Sequence, residues 1–131
     1  MDSKDVELIA HLMRRASFGA RRDEIEAYAA KGYEATVEEL LTAGDARWVG
    51  DDMVRRFDNE ASGMINGPGS ARNWVYRMIT TNAPLQEKMT LFWHGIFATG
   101  IPKVINGRVL SDQIGMFRRH GIDSFDTLLL K

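Results

Sequence analysis

The chain contains no cysteine. Disulfides, thiolate zinc sites and cysteine nucleophiles are thereby excluded, which fits a reducing compartment, with the cytoplasm the corresponding expectation. Proline is scarce, three residues beside twelve glycines in a chain of 131, which argues against a low-complexity or disordered polypeptide. No apolar run approaches the roughly 20 residues that a transmembrane helix needs, so no membrane span is expected. The stretch "MRRASFGA" faintly suggests a twin-arginine export signal. Such a signal continues into an apolar segment, whereas here the charged and amphipathic "RRDEIEAYAAKG" follows.

A strong charge of one sign is missing too. The net charge is −1 and the isoelectric point about 6.3. Four Arg-Arg pairs occur, at 14–15, 21–22, 55–56 and 118–119, and two of them have acids beside them. A nucleic-acid binder concentrates such charge in a strongly basic domain, so no nucleic-acid partner is expected. Charge is still uneven along the chain. Residues 1–66 carry fourteen acids and nine bases, and residues 67–131 carry four acids and eight bases. Two halves facing one another account for this more simply than an acidic partner.

What is present reads as helix throughout. The length suits one domain over residues 1–131 with a single buried core. Ser3 can cap a first helix with Val6, Ile9, Ala10 and Met13 on one face, stopped by Gly19. A second begins near Arg22, its acids Asp23, Glu24 and Glu26 matching the positive end of the helix dipole, and Gly32 ends it. "TVEELLTAG" predicts a third helix, and a fourth is expected over 51–61. "SGMINGPGS" predicts a loop, with Ser70 capping the helix that holds Trp74, Val75, Met78 and Ile79. Pro84 suits the first position of the next helix, with Asn82 as its cap. "GIPKVINGRV" reads as a loop, then a helix from Arg108 to His120 stops at Gly121, and Ser124 caps "FDTLLLK". The expectation is an all-α bundle of about six to eight helices without a substantial sheet.

The most unusual stretch is "QEKMTLFWHGIFATG", residues 86–100. Met89, Trp93 and Phe97 are spaced as one apolar stripe, which predicts a buried central helix. His94 lies beside that stripe and next to Gly95, which permits close approach of another helix or of a ligand. A buried histidine hydrogen-bonded to a neighbouring helix is the favoured reading, since buried polar groups find partners. The alternative is a ligand-binding or hydrolase-like site near Trp93 and His94, with His94 as acid/base and support from Arg72, Lys88 or His120. No serine stands in a nucleophile elbow, so no nucleophile is identified. His11, His94 and His120 form no chelating spacing, so neither a metal nor a cofactor is expected. His120 suits a helix C-terminus, where imidazolium meets the negative end of the dipole. "NGPGSAR" places Gly67, Gly69 and Ser70 before a helix start with Arg72 following, a geometry that could receive an anion. It lacks the Walker spacing and ending, and a surface loop is favoured.

Three stretches taken in order are more specific than any one of them: "AHLMRRASFGA", "PLQEKMTLFWHGIFATG" and "DQIGMFRRHGIDSFDTLLLK". Together they resemble the start of the bacterial domain of unknown function 1800 family, over essentially the whole chain. The family pattern opens with an "LLRRxxFG" helix, continues with "LQEKLTLFWHxHFAT" and then "QNxxxRxxxxGxFxxLL". Family members run to several hundred residues, so the resemblance implies an N-terminal portion of a longer protein, without the later "NENxxRELxEL" helix. The family has no established biochemical function. Many relatives carry a second histidine two places after the first, where Ile96 stands here. Two positions on a regular helix diverge by about 200°, so even the fuller motif would not chelate from one face.

The reading that follows is a structural or protein-interaction module. Phe125, Leu128, Leu129 and Leu130 would form its interface, either with the remainder of a longer protein or with another copy as a homo-oligomer.

Overall fold

The computed structural model describes residues 3–42, 67–100 and 107–131. Among the described residues it contains seven α-helices and no strand. The helix expected over 51–61 and the hairpin-like part of "GIPKVINGRV" lie outside the described residues. No described helix is long and apolar enough to cross a membrane.

The first three helices are α1 (Ser3–Ala16), α2 (Arg22–Lys31) and α3 (Tyr33–Thr42). Ile9 and Met13 of α1 meet Leu40 of α3 in a fully buried cluster, and Leu12, Ala16, Ile25, Tyr28 and Ala29 pack around it. The i, i+4 spacing of Ile9 and Met13 is the amphipathic stripe that the sequence predicts. Gly32 stops α2 as expected, whereas α1 ends at Ala16, three residues before the Gly19 expected to stop it. Gly19 and Gly32 adopt φ values of 105° and 99°, the left-handed region that side chains avoid. At the first corner Ser17 donates to the Met13 carbonyl and accepts the Gly19 N–H at 3.2 Å. The Glu24 carboxylate reaches back to the Arg21 N–H at 2.7 Å and so closes the start of α2. Gly32 alone links α2 to α3, and the buried Thr36 donates its hydroxyl to the Gly32 carbonyl at 2.7 Å.

The second group consists of α4 (Gly67–Thr80), α5 (Pro84–Ile96), α6 (Gly107–His120) and α7 (Phe125–Leu129). Helix begins at Gly67, inside the stretch expected to be a loop up to Ser70. Pro68 then falls in the first turn, where its missing N–H costs nothing, and Ser70 lies within the helix rather than capping it. Pro84 is the first residue of α5, as expected. The cap position belongs to Ala83 rather than Asn82, and its N–H is met by the Thr81 hydroxyl at 3.0 Å. Ser124 caps α7 by accepting the Thr127 N–H.

Helix α5 joins the two groups. It packs against α1 and α3 on one side and against α4 and α6 on the other, and Leu85 contributes to the α1–α3 core. On the second side Trp93 stacks between Phe97 and Phe125, with ring centroids 5.9 and 5.8 Å apart, and Phe97 stacks on the buried Phe117. The Trp93 indole N–H donates to the Gly121 carbonyl at 2.8 Å, which draws the end of α6 onto α5. Centrality does not make α5 an apolar core helix, however. Its fully buried residues are Glu87 and Thr90, while Leu91, Phe92 and Ile96 are exposed.

Gly121 has a steric role rather than a conformational one. A Cβ there would stand 2.4 Å from the Phe117 carbonyl oxygen and 3.0 Å from Trp93 Cδ1. Gly95 differs from what the sequence suggested, since no described atom lies within 4 Å of a Cβ built on it. It opens no close approach. Gly121→Ala is therefore expected to destabilise the fold by about 1–3 kcal/mol, the range for overpacking. Gly95→Ala should stabilise it by about 1 kcal/mol through helix propensity. Chemical denaturation of both variants checks the pair, and the same sign for both would contradict these packing assignments.

Candidate functional site

On α5, residues spaced three and four apart share a face, so Glu87, Thr90 and His94 line up at i, i+3 and i+7. This polar line is turned towards α4 and α6. The Glu87 side chain is completely buried. Its Oε1 accepts from Arg118 Nε at 2.6 Å, and its Oε2 accepts from Arg118 Nη2 at 3.2 Å and from Trp74 Nε1 at 3.0 Å. One carboxylate thus receives three donors from two other helices. The guanidinium presents its fork edge-on, the geometry in which a charge-assisted pair is strongest. Only 17% of the Arg118 side chain is exposed. An isolated buried carboxylate would cost several kcal/mol, and full pairing of this kind is what makes the burial tolerable. Thr90, also buried, donates to the Gln86 carbonyl at 2.8 Å and so satisfies itself within α5.

His94 departs from expectation. Its ring meets Trp74 edge-on, with centroids 5.2 Å apart and planes at 79°. Its Nδ1 is buried and has no hydrogen-bond partner among the described residues. The sequence reading expected a partnered histidine, but the neighbour that packing delivers is an indole already donating to Glu87. A histidine acting as general base is normally oriented through its second ring nitrogen, and no described residue supplies such a bond at Nδ1.

The other anticipated residues are dispersed. Arg72 is exposed on α4. Lys88 holds its ammonium 5.1 Å above the Phe18 ring. His120 Nδ1 lies 2.8 Å from Asp123 Oδ2 at the end of α6. No hydrogen bond or ring contact among the described residues joins Lys88 or His120 to His94. Trp93 has its N–H bound to Gly121 and an aromatic ring on each side. Leu128 is buried, 3% exposed, because α7 docks through it, so it cannot belong to the open interface expected of the terminal leucines. Phe125, Leu129 and Leu130 are exposed, as that expectation requires. Among the described residues no three histidine or acidic side chains converge as metal ligands.

Sequence reasoning missed Glu87, Arg118 and Trp74. The available signal was an acid sharing a helical face with Thr90 and His94 on an otherwise apolar helix. Its partners lie 13 and 31 residues away, beyond the reach of local periodicity.

Glu87→Ala is expected to cost about 3–5 kcal/mol, because it strands the Arg118 charge in the interior. Replacing Glu87 and Arg118 together by methionine should recover most of that loss, and a double-mutant cycle by chemical denaturation measures the difference. A double variant as unstable as Glu87→Ala would contradict the clamp. His94→Phe keeps an aromatic edge against Trp74 and removes an unmet polar atom, whose burial costs about 1–3 kcal/mol. Its melting temperature should equal or exceed that of the parent, and a clear fall would show a bond that His94 makes.

The candidate site is therefore a buried carboxylate clamp with His94 beside it, in which Glu87 and Arg118 lie in two of the three stretches that carry the family pattern and Trp74 comes from α4, outside all three. Neither the curated proteins nor the solved structures include a match to this chain. Residues 11–131 match the family described as Protein of unknown function (DUF1800), and the chain belongs to that family.

Proposed function

We propose that the chain is a helical protein-interaction module, in which the Glu87 clamp holds α4 in place so that its outer side can dock. The supporting observation is that α4 is apolar on two sides. Trp74 turns towards α5, while Val75, Tyr76 and Ile79 are exposed, Ile79 to 77%. Trp74 and the Val75–Ile79 pair stand on neighbouring faces about 100° apart, so the apolar surface of α4 is wider than its contact with α5 uses. Helix α7 repeats the pattern on a smaller scale, with Leu128 inside and Phe125, Leu129 and Leu130 outside. Contiguous exposed apolar surface of this kind marks interaction sites. The occupant is a protein surface, either a second copy of the chain or a further segment of a longer protein.

The second reading is a ligand-binding or hydrolase-like site beside Trp93 and His94. The unpartnered His94 Nδ1 favours it, and the enclosed Trp93 and the distant Lys88 and His120 contacts weigh against it. Loss of a ligand or an activity in His94→Phe at unchanged stability would support this reading.

Light scattering over a concentration series tests the interaction module. The mass should rise above the 14.8 kDa of one chain, and Ile79→Ser should lower it without lowering the melting temperature. A monomer at every concentration, indifferent to Ile79→Ser, would count against the proposal.

A further inference from the structure

The Arg14–Arg15 pair and Lys88 remain outside both the clamp and the α4 surface. They come together on the opposite side of α5, where the end of α1 approaches it. Arg14, Arg15, Lys88, Met89, Leu91 and Phe92 line a groove of about 490 Å³. Its lining is divided between three cations and three apolar side chains, a methionine, a leucine and a phenylalanine. Arg21, Arg22, Lys31 and Arg118 are each paired with a carboxylate. None of the three groove cations has such a pair among the described residues. Lys88 rests instead on the Phe18 ring, a contact worth about 0.5–1 kcal/mol at an exposed site and easily exchanged for an anion.

The helix dipole accounts for part of this arrangement, since cations are favourable in the last turn of α1. It does not account for Lys88, which lies in the first half of α5, or for the apolar side chains that line the groove with it. Resting on the α4-based interaction reading only for the premise that the chain binds proteins, we infer that this groove receives an acidic segment of a partner protein, anchored by apolar side chains. Charge selects the sign of the occupant, because three cations around one opening, without a carboxylate pair among the described residues, favour carboxylates and disfavour a basic segment. Shape selects its kind. Arg14, Arg15, Leu91 and Phe92 are all exposed, so the groove is open along its length, whereas small-molecule sites enclose most of their ligand. Methionine beside an aromatic ring adapts to varied apolar anchors. An acidic peptide with leucine or phenylalanine anchors meets both requirements.

The test is fluorescence anisotropy with a short fluorescein-labelled peptide that combines glutamates with leucine and phenylalanine. Two controls replace its glutamates by lysine or its apolar residues by serine. The acidic apolar peptide should bind, and both controls should fail. Added salt should weaken the binding. Lys88→Glu and Arg15→Glu, each checked by its melting curve, should weaken it about tenfold or more, and Ile79→Ser should leave it unchanged. No binding, equal binding of the lysine peptide, indifference to both charge reversals, or displacement by sodium decanoate in preference to unlabelled peptide would each overturn the inference. If the peptide fails while concentration-dependent association persists, the groove assignment falls and the interaction module stands. Failure of both removes the module as well.

Discussion

The arrangement of α4, α5 and α6 depends on one buried carboxylate. Glu87 lies in the interior, and it is tolerable there only because Arg118 and Trp74 reach it from two other helices. The constraint runs in both directions. Arg118 must sit on the inner side of α6, which brings Phe117 into the core beside it, and Trp74 must face inward on α4, which turns Val75 and Ile79 outward. The polar contact thus sets the rotation of three helices about their axes, a degree of freedom that apolar packing alone defines loosely.

Around that contact the apolar groups divide. Ile9, Met13 and Leu40 close the α1–α3 side, and Trp93, Phe97, Phe117 and Phe125 close the α6–α7 side. Helix α5 serves both. Its exposed apolar residues are Leu91, Phe92 and Ile96, of which Leu91 and Phe92 border the cationic groove. One helix therefore gives the domain its fixed interior and part of its open surface.

Local features of this fold were legible in the sequence because their causes are local. Gly32 ends α2 through its own backbone conformation, Ser124 caps through a hydroxyl three residues away, and Ile9 and Met13 share a face by spacing. The start of α4 at Gly67 was obscured because proline and glycine also mark first turns. The candidate site was harder to read. "QEKMTLFWHGIFATG" drew attention to His94 and Trp93, yet one proved to be unpartnered at Nδ1 and the other fully engaged in packing. The residue that organises the region, Glu87, looked like ordinary helix surface. Its burial is decided by what α4 and α6 bring to it, and single-helix periodicity carries no record of that. The same limit explains Leu128, whose burial depends on the docking of α7 and not on its neighbours Leu129 and Leu130.

The chemistry of these contacts has a kinetic consequence. Ile9 and Leu40 stand 31 residues apart, as do Glu87 and Arg118, and the Trp93–Gly121 bond spans 28, so loop entropy favours neither side of α5. Solvation separates them instead. Apolar groups gain from each partial contact, whereas a carboxylate gains nothing from leaving water before its guanidinium arrives. The carboxylate clamp is thus expected to close after the apolar contacts have formed, and until it does α5 retains a hydrated edge where the finished domain is dry.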